Sequence, residues 1–189
     1  MKISFSHICL VCCLIIARDV TGQSLRPKQH NHPSGNINTI STGVNLPVGN
    51  FSSTHIVGIA AEYSLSDHRF GQMDVKPVKP VGFIINSGII YYFGKKEMVN
   101  GYPYKYPGYT FLNLYGGIIY NPWKKGNINF TAGPALGIYN HHTRFNIGSK
   151  LEGSYYVNKN IAVSPAIILM KEHGVDTFWA ATVKALISF

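Results

Sequence analysis

Along most of the chain beyond residue 36, apolar residues alternate with small or polar ones at a period of two. Such alternation puts one set of side chains on each face of an extended strand. The spacing predicts a first strand over 40–48, with Ile40, Thr42, Val44, Leu46 and Val48 opposite Ser41, Gly43 and Asn45. A second, over 57–65, sets Val57, Ile59, Ala61, Tyr63 and Leu65 against Gly58, Ala60, Glu62 and Ser64. Six more follow, over 81–93, 109–120, 127–138, 145–157, 161–169 and 179–189. In the third, Ile84 and Ile90 blur the small-residue face. In the fourth, that face carries Tyr109, Phe111 and Tyr115. Pro134 interrupts the fifth, where a local bulge is expected because proline cannot donate to a ladder. Turn chemistry at Gly49-Asn50, Asn121-Pro122, Asn158-Lys159-Asn160 and Gly174 separates the strands. Two connections are long, about 66–80 and 94–108. Consecutive strands with mostly short links predict an all-β fold, an eight-stranded antiparallel up-and-down barrel.

Charge decides which face looks outward. Within the eight strands the charged residues are Glu62, Lys150, Glu152 and Lys184, all on the small, polar face. As the outer surface of a soluble barrel, such a face is poorly charged for solubility. Turned inward, Gly, Ser and Asn fit a narrow polar interior, and the Ile, Leu, Val and Phe face meets hydrocarbon. Composition agrees: charged residues are 13% of the chain and aromatics 13%, against about a quarter charged in ordinary soluble domains. The expected fold is therefore a transmembrane barrel, with Tyr63, Phe93, Tyr120, Tyr155, Trp179 and Phe189 as interfacial aromatics. A soluble periplasmic ligand-binding barrel is the alternative if the faces are reversed.

Residues 1–22 read as a signal peptide: Lys2, an apolar run from Ile8 to Ala17, then Val20-Thr21-Gly22 before Gln23. That run is too short to span a bilayer. Residues 23–36 are polar and breaker-rich, a flexible lead-in, and 37–189 form the barrel. All three cysteines, Cys9, Cys12 and Cys13, lie in the exported segment, so the rest needs no disulfide and offers no thiolate metal site. The formal charge of +9 suits anionic headgroups, and export argues against nucleic acid. The signal peptide, the cysteine-free body, the glycine- and aromatic-rich strands and the final run Val183-Lys184-Ala185-Leu186-Ile187-Ser188-Phe189 resemble the small outer-membrane β-barrel family of OmpX-like and porin-like proteins. The resemblance implies a monomer in the outer membrane of a Gram-negative cell, among lipid and lipopolysaccharide. It also implies that Phe189 is part of the signal read by the barrel-assembly machinery.

Candidate chemistry is sparse. Glu62, Lys150, Glu152 and Lys184 are expected to pair inside the lumen, because an unpaired buried charge is costly; an ion or proton relay is the functional alternative. His141 and His142 are adjacent and point to opposite sides of an extended chain, and His30 and His32 have no framework, so no metal or cofactor is implied. Ser64, Ser66, Asp67 and His68 lie together at the end of a strand but form no ordered nucleophile, base and acid, so a lipid-modifying enzyme is only an alternative and no catalytic residue is assigned. An eight-stranded barrel leaves room for side chains and little else, which confines a channel reading to a narrow conduit for small or apolar solutes. The expected role is structural, or surface interaction through the 94–108 loop, where Lys95, Lys96, Tyr102, Tyr104, Lys105 and Tyr106 suit anionic or glycan partners.

Overall fold

The computed structural model describes residues 37–67, 81–123, 125–158, 160–172 and 177–189. The elements are β1 (Ile37–Val48), α1 (Phe51–Thr54), β2 (His55–Ser66), β3 (Val81–Gly94), β4 (Lys96–Val99), β5 (Tyr102–Lys105), β6 (Tyr109–Trp123), β7 (Gly126–Tyr139), β8 (His142–Tyr156), β9 (Ile161–Glu172) and β10 (Phe178–Ser188). Eight strands close into one antiparallel barrel in the order β1-β10-β9-β8-β7-β6-β3-β2, while β4 and β5 form a separate hairpin. Closure runs from Thr39 opposite Ser188 to Val48 opposite Trp179, which leaves the barrel itself no free edge. The meander thereby gives the barrel two ends. Ile37, Ser66, Val81, Trp123, Gly126, Tyr156, Ile161 and Ser188 stand at one; α1, the β4–β5 hairpin, the 140–141 turn, Glu172 and Phe178 stand at the other, here called the loop end.

Burial follows the period of two. Val44, Leu46, Ile59, Phe83, Ile85, Leu114, Ile118, Phe130, Ile147, Leu151, Ile167 and Val183 are exposed on the outside, while Asn45, Glu62, Asn113, Thr131, Lys150, Ser164 and Lys184 are buried within. This arrangement inverts that of a soluble barrel. Phe83 and Phe93 on β3, Phe145 and Tyr155 on β8, and Trp179 on β10 with Phe189 just after it are outward pairs ten residues apart. Ten residues of strand rise about 33 Å, or roughly 25 Å along the barrel axis at a tilt near 40°, which matches the apolar band of a membrane barrel.

Ile84 and Ile90 are buried in the lumen, on the small-residue face where the alternation puts them. Several other local features depart from the pattern-based reading. Around Val57 the register to β3 shifts between His55 and Gly58, leaving Ile56 exposed and Val57 half-buried. Pro134 causes no bulge: bridges to β6 stop after Ala135 and resume at Ala132 in the same register, so the ladder skips the proline and Gly133 without slipping. Pro165 does the same, with the β8 ladder skipping from Ala166 to Val163. Asn121 and Pro122 are not a turn but part of β6, in an irregularity before Trp123 pairs with Gly126. The 94–108 connection, expected as a loop, holds the β4–β5 hairpin, whose turn is Asn100-Gly101 with φ of 52° and 84°. A two-residue turn with both central residues at positive φ matches the right-handed twist of its strands, and Asn-Gly is the sequence that adopts it at least cost. That dipeptide was the available signal for the hairpin.

Candidate functional site

Glu62 comes from β2, Lys150 and Glu152 from β8 and Lys184 from β10. Spacing of two puts Lys150 and Glu152 on one face of their strand. Barrel closure puts β2 and β8 on opposite walls, four strands apart in either direction. The four side chains meet across the lumen as a closed ring. Lys150 Nζ lies 2.8 Å from Glu62 Oε2 and 3.2 Å from Glu152 Oε2, and Lys184 Nζ lies 2.6 and 2.5 Å from the same two atoms. Every member is buried, with side chains 1–4% exposed. Two cations and two anions cancel, and polar neighbours extend the network. Lys150 donates to Asn86 Oδ1 at 3.0 Å, Asn86 Nδ2 donates to Ser64 Oγ at 2.7 Å, and Ser164 Oγ donates to Glu152 Oε1 at 2.9 Å.

Glycine makes space for this ring. A Cβ on Gly88 would stand 2.6 Å from Glu62 Cγ and 3.0 Å from the Ala61 carbonyl, so one wall at this level must be bare. Gly88→Ala is expected to lower barrel stability by about 1–3 kcal/mol, the usual cost of overpacking, when urea unfolding is followed in detergent micelles. A change below a few tenths of a kcal/mol would mean that the ring shifts freely.

The loop end is stopped by aromatic side chains. Phe51 of α1 stacks on His55 with centroids 4.3 Å apart, and it packs on Phe178 at 4.6 Å and edge-on to Tyr92 at 5.0 Å. Tyr109 stacks on Phe111 at 4.4 Å and on Tyr139 at 5.6 Å. The turn at Gly49, with φ of 69°, leads directly into α1, and this helical turn carries Phe51 into the barrel mouth. Beside the aromatics, Glu172 accepts a hydrogen bond from the Tyr109 hydroxyl at 2.8 Å and pairs with Arg144 at 2.8 Å. Arg144, Lys171 and Glu172 add to the charged residues expected in the barrel strands, because β8 begins before 145 and β9 runs beyond 169. The signal was present: Met170 and Glu172 continue the inward phase of Ile168.

Other candidate residues fall elsewhere. Lys95, Lys96, Tyr102, Tyr104, Lys105 and Tyr106 lie in and beside the hairpin, where Lys96 sits opposite Lys105 and Tyr104 lies edge-on to Tyr106 at 5.0 Å. The hairpin base is tied to α1: the Lys95 amide donates to the Thr54 carbonyl at 2.8 Å and the Tyr106 amide to the Lys95 carbonyl at 2.9 Å. His141 occupies the β7–β8 turn with φ of 66°, and His142 pairs with Tyr139. Among the described residues no three or more His, Cys, Asp or Glu are grouped to hold a metal. Ser64 is bonded to Asn86 and Asp67 Oδ1 accepts from the Phe83 amide at 2.7 Å, while His68, His30 and His32 lie outside the described residues. Phe189 is exposed, and its backbone exchanges hydrogen bonds with Asn38 at 3.0 and 3.3 Å.

These features define a small eight-stranded barrel with an apolar exterior and a filled interior, an architecture it shares with known outer-membrane barrels. The structure is similar to the crystal structure of Ail, the attachment invasion locus protein of Yersinia pestis, in complex with the heparin analogue sucrose octasulfate. There the TM-score is 0.56 at 9% identity, covering 82% of this chain and 99% of that one. It is also similar to the outer membrane protein Ail in a phospholipid bilayer nanodisc, with a TM-score of 0.54 at 11% identity over 82% of this chain and 100% of that one. No protein-family model and no curated protein matches the sequence. At such identities the likeness shows the fold.

Proposed function

We propose that the chain is exported through a signal peptide over 1–22 and resides in the outer membrane as a monomeric barrel. Its task is surface interaction, carried by the β4–β5 hairpin toward an anionic glycan partner. The observation that carries this reading is the contrast between a closed lumen and an open hairpin. Opposite walls touch through Lys150 and Glu62, and Phe51 stoppers the mouth, which disfavours a conduit. Tyr102 is 77% exposed and Met98 68%, and Lys96 and Lys105 face one another across the hairpin. Like charges directly opposite are mutually destabilising, and a bound anion would relieve that repulsion. The heparin analogue bound by Ail supports the same ligand chemistry. Insertion of the barrel would rest on the assembly machinery reading Phe189 at the end of β10.

Two measurements test the proposal. Cells expressing the full chain should yield it in the outer-membrane fraction, with a mobility shift on gel electrophoresis when the sample is boiled. A soluble, unshifted protein would sink the membrane reading. The folded barrel should then be retained on immobilised heparin at low salt and released as ionic strength rises, since exposed charges are screened. Replacing Lys95, Lys96 and Lys105 together by Ala should abolish retention while the mobility shift persists; retention equal to wild type would exclude the hairpin as the contact surface.

A further inference from the structure

Among the described barrel strands, the outward phase carries one charged residue. Lys171, near the loop end of β9, is exposed in the same phase as Pro165, Ile167 and Leu169. It pairs with Ile147 of β8, and Trp179 of β10, in register with Leu169, is its diagonal neighbour. Diagonal neighbours stand about 7–8 Å apart, within reach of long side chains.

Nearer the barrel middle on the same wall lies a groove of about 590 Å3, lined among others by Leu46, Leu151, Gly153, Pro165, Ile167 and Ala181. It exists because Gly153, Pro165 and Ala181 add little bulk to the outer surface between taller neighbours. Ile167 and Pro165 are four and six residues from Lys171. That is about 13–20 Å along the strand and roughly 10–15 Å along the membrane normal at a tilt near 40°. One leaflet contributes about half of a hydrocarbon core near 30 Å thick. A lipid with its headgroup beside Lys171 therefore lays the far half of an acyl chain in the groove.

We propose that Lys171 and this groove form a binding site for an anionic, phosphate-bearing lipid of the loop-side leaflet, the phosphate on the Lys171 ammonium and an acyl chain between β8, β9, β10 and β1. The inference rests on the membrane-barrel reading given above. Charge favours a lipid over a second copy of the chain. A paired copy in a membrane would be related by an axis along the normal, which brings Lys171 toward its own equivalent at the same depth. Snorkelling lets the lysine stem lie along apolar surface while its ammonium reaches the headgroups, and Trp179 is suited to the same interface.

Trp179 also supplies the reporter. The chain has two tryptophans, so Trp123→Phe leaves Trp179 as the single emitter. The variant, purified from membranes of expressing cells, is placed in phosphatidylcholine vesicles containing either phosphatidic acid or phosphatidylcholine brominated near the headgroup end of the acyl chain. Absence of a heat-dependent mobility shift would overturn the membrane reading itself, independently of the lipid site. In shifted, folded protein, half-quenching should require about fivefold less brominated phosphatidic acid than brominated phosphatidylcholine, the preference one surface cation confers. Lys171→Gln should bring the two curves together, and Ala181→Phe should weaken quenching by both lipids. Equal curves with Lys171 present, or a preference that survives Lys171→Gln, would overturn the headgroup contact. Unchanged quenching in Ala181→Phe would overturn the groove.

Discussion

Glu62→Ala is expected to lower the unfolding free energy of the barrel by about 3–5 kcal/mol, the cost of leaving a buried charge uncompensated. Glu62 Oε2 is the acceptor shared by Lys150 and Lys184, so its loss leaves two buried ammonium groups with the single carboxylate of Glu152. Urea unfolding in phosphatidylcholine vesicles measures the effect. Combining Glu62→Ala with Lys184→Met restores neutrality, and the double variant should be more stable than the sum of the single losses predicts, by about 1–3 kcal/mol of coupling. Strict additivity, or a single loss under about 1 kcal/mol, would mean that water in the lumen screens these charges and that the four do not act as one unit. The ring is a device of specificity on this reading, since a well-packed apolar core could equal it in energy. Four charges from three strands can be satisfied together only when β2 and β8 face each other, which penalises other closures.

On the outer surface the largest effect should follow depth. Val183→Lys places a cation near the middle of the apolar band, six residues from Phe189 and four from Trp179. It should cost about 2–4 kcal/mol in the same assay. Val48→Lys, opposite Trp179 at the loop-end margin, should cost about 0–1 kcal/mol, because its ammonium reaches the headgroups. Val48 and Val183 are both exposed valines, at 50% and 58%, on neighbouring strands of one wall, so burial within the protein cannot explain a difference between them. Equal costs would argue that no hydrocarbon surrounds this face.

Much of the fold could be read without coordinates because side-chain direction in a strand is a local property. Each successive residue faces the other way, so the partition of Ile167 from Ser164, or of Val183 from Lys184, needs no knowledge of the neighbouring strand. Strand ends were less legible. Arg144, Lys171 and Glu172 are polar whether they belong to a ladder or a loop, and only their partners decide: Asn146 takes Glu172, and Ile147 takes Lys171. From sequence alone Pro134 predicts a bulge, because a missing donor usually disrupts pairing. The flanking pairs on both neighbouring strands hold the register across the gap.

By itself, then, the amino-acid order determined the number of barrel strands, their two faces, and which face carries the charges. What only the tertiary structure decided is which of those charges meet. Glu62 and Lys150 are 88 residues apart and come together because β1 pairs with β10, which sets β2 and β8 on opposite walls. Phe51 lay in no periodic segment, yet a single helical turn after Gly49 carries it into the mouth against His55 and Phe178. The groove near Lys171 depended equally on register, because Leu46, Ala181, Ile167 and Leu151 stand side by side only once their strands are paired. Alternation is settled within a few residues of chain, whereas contact across a lumen requires the closed circumference of the barrel.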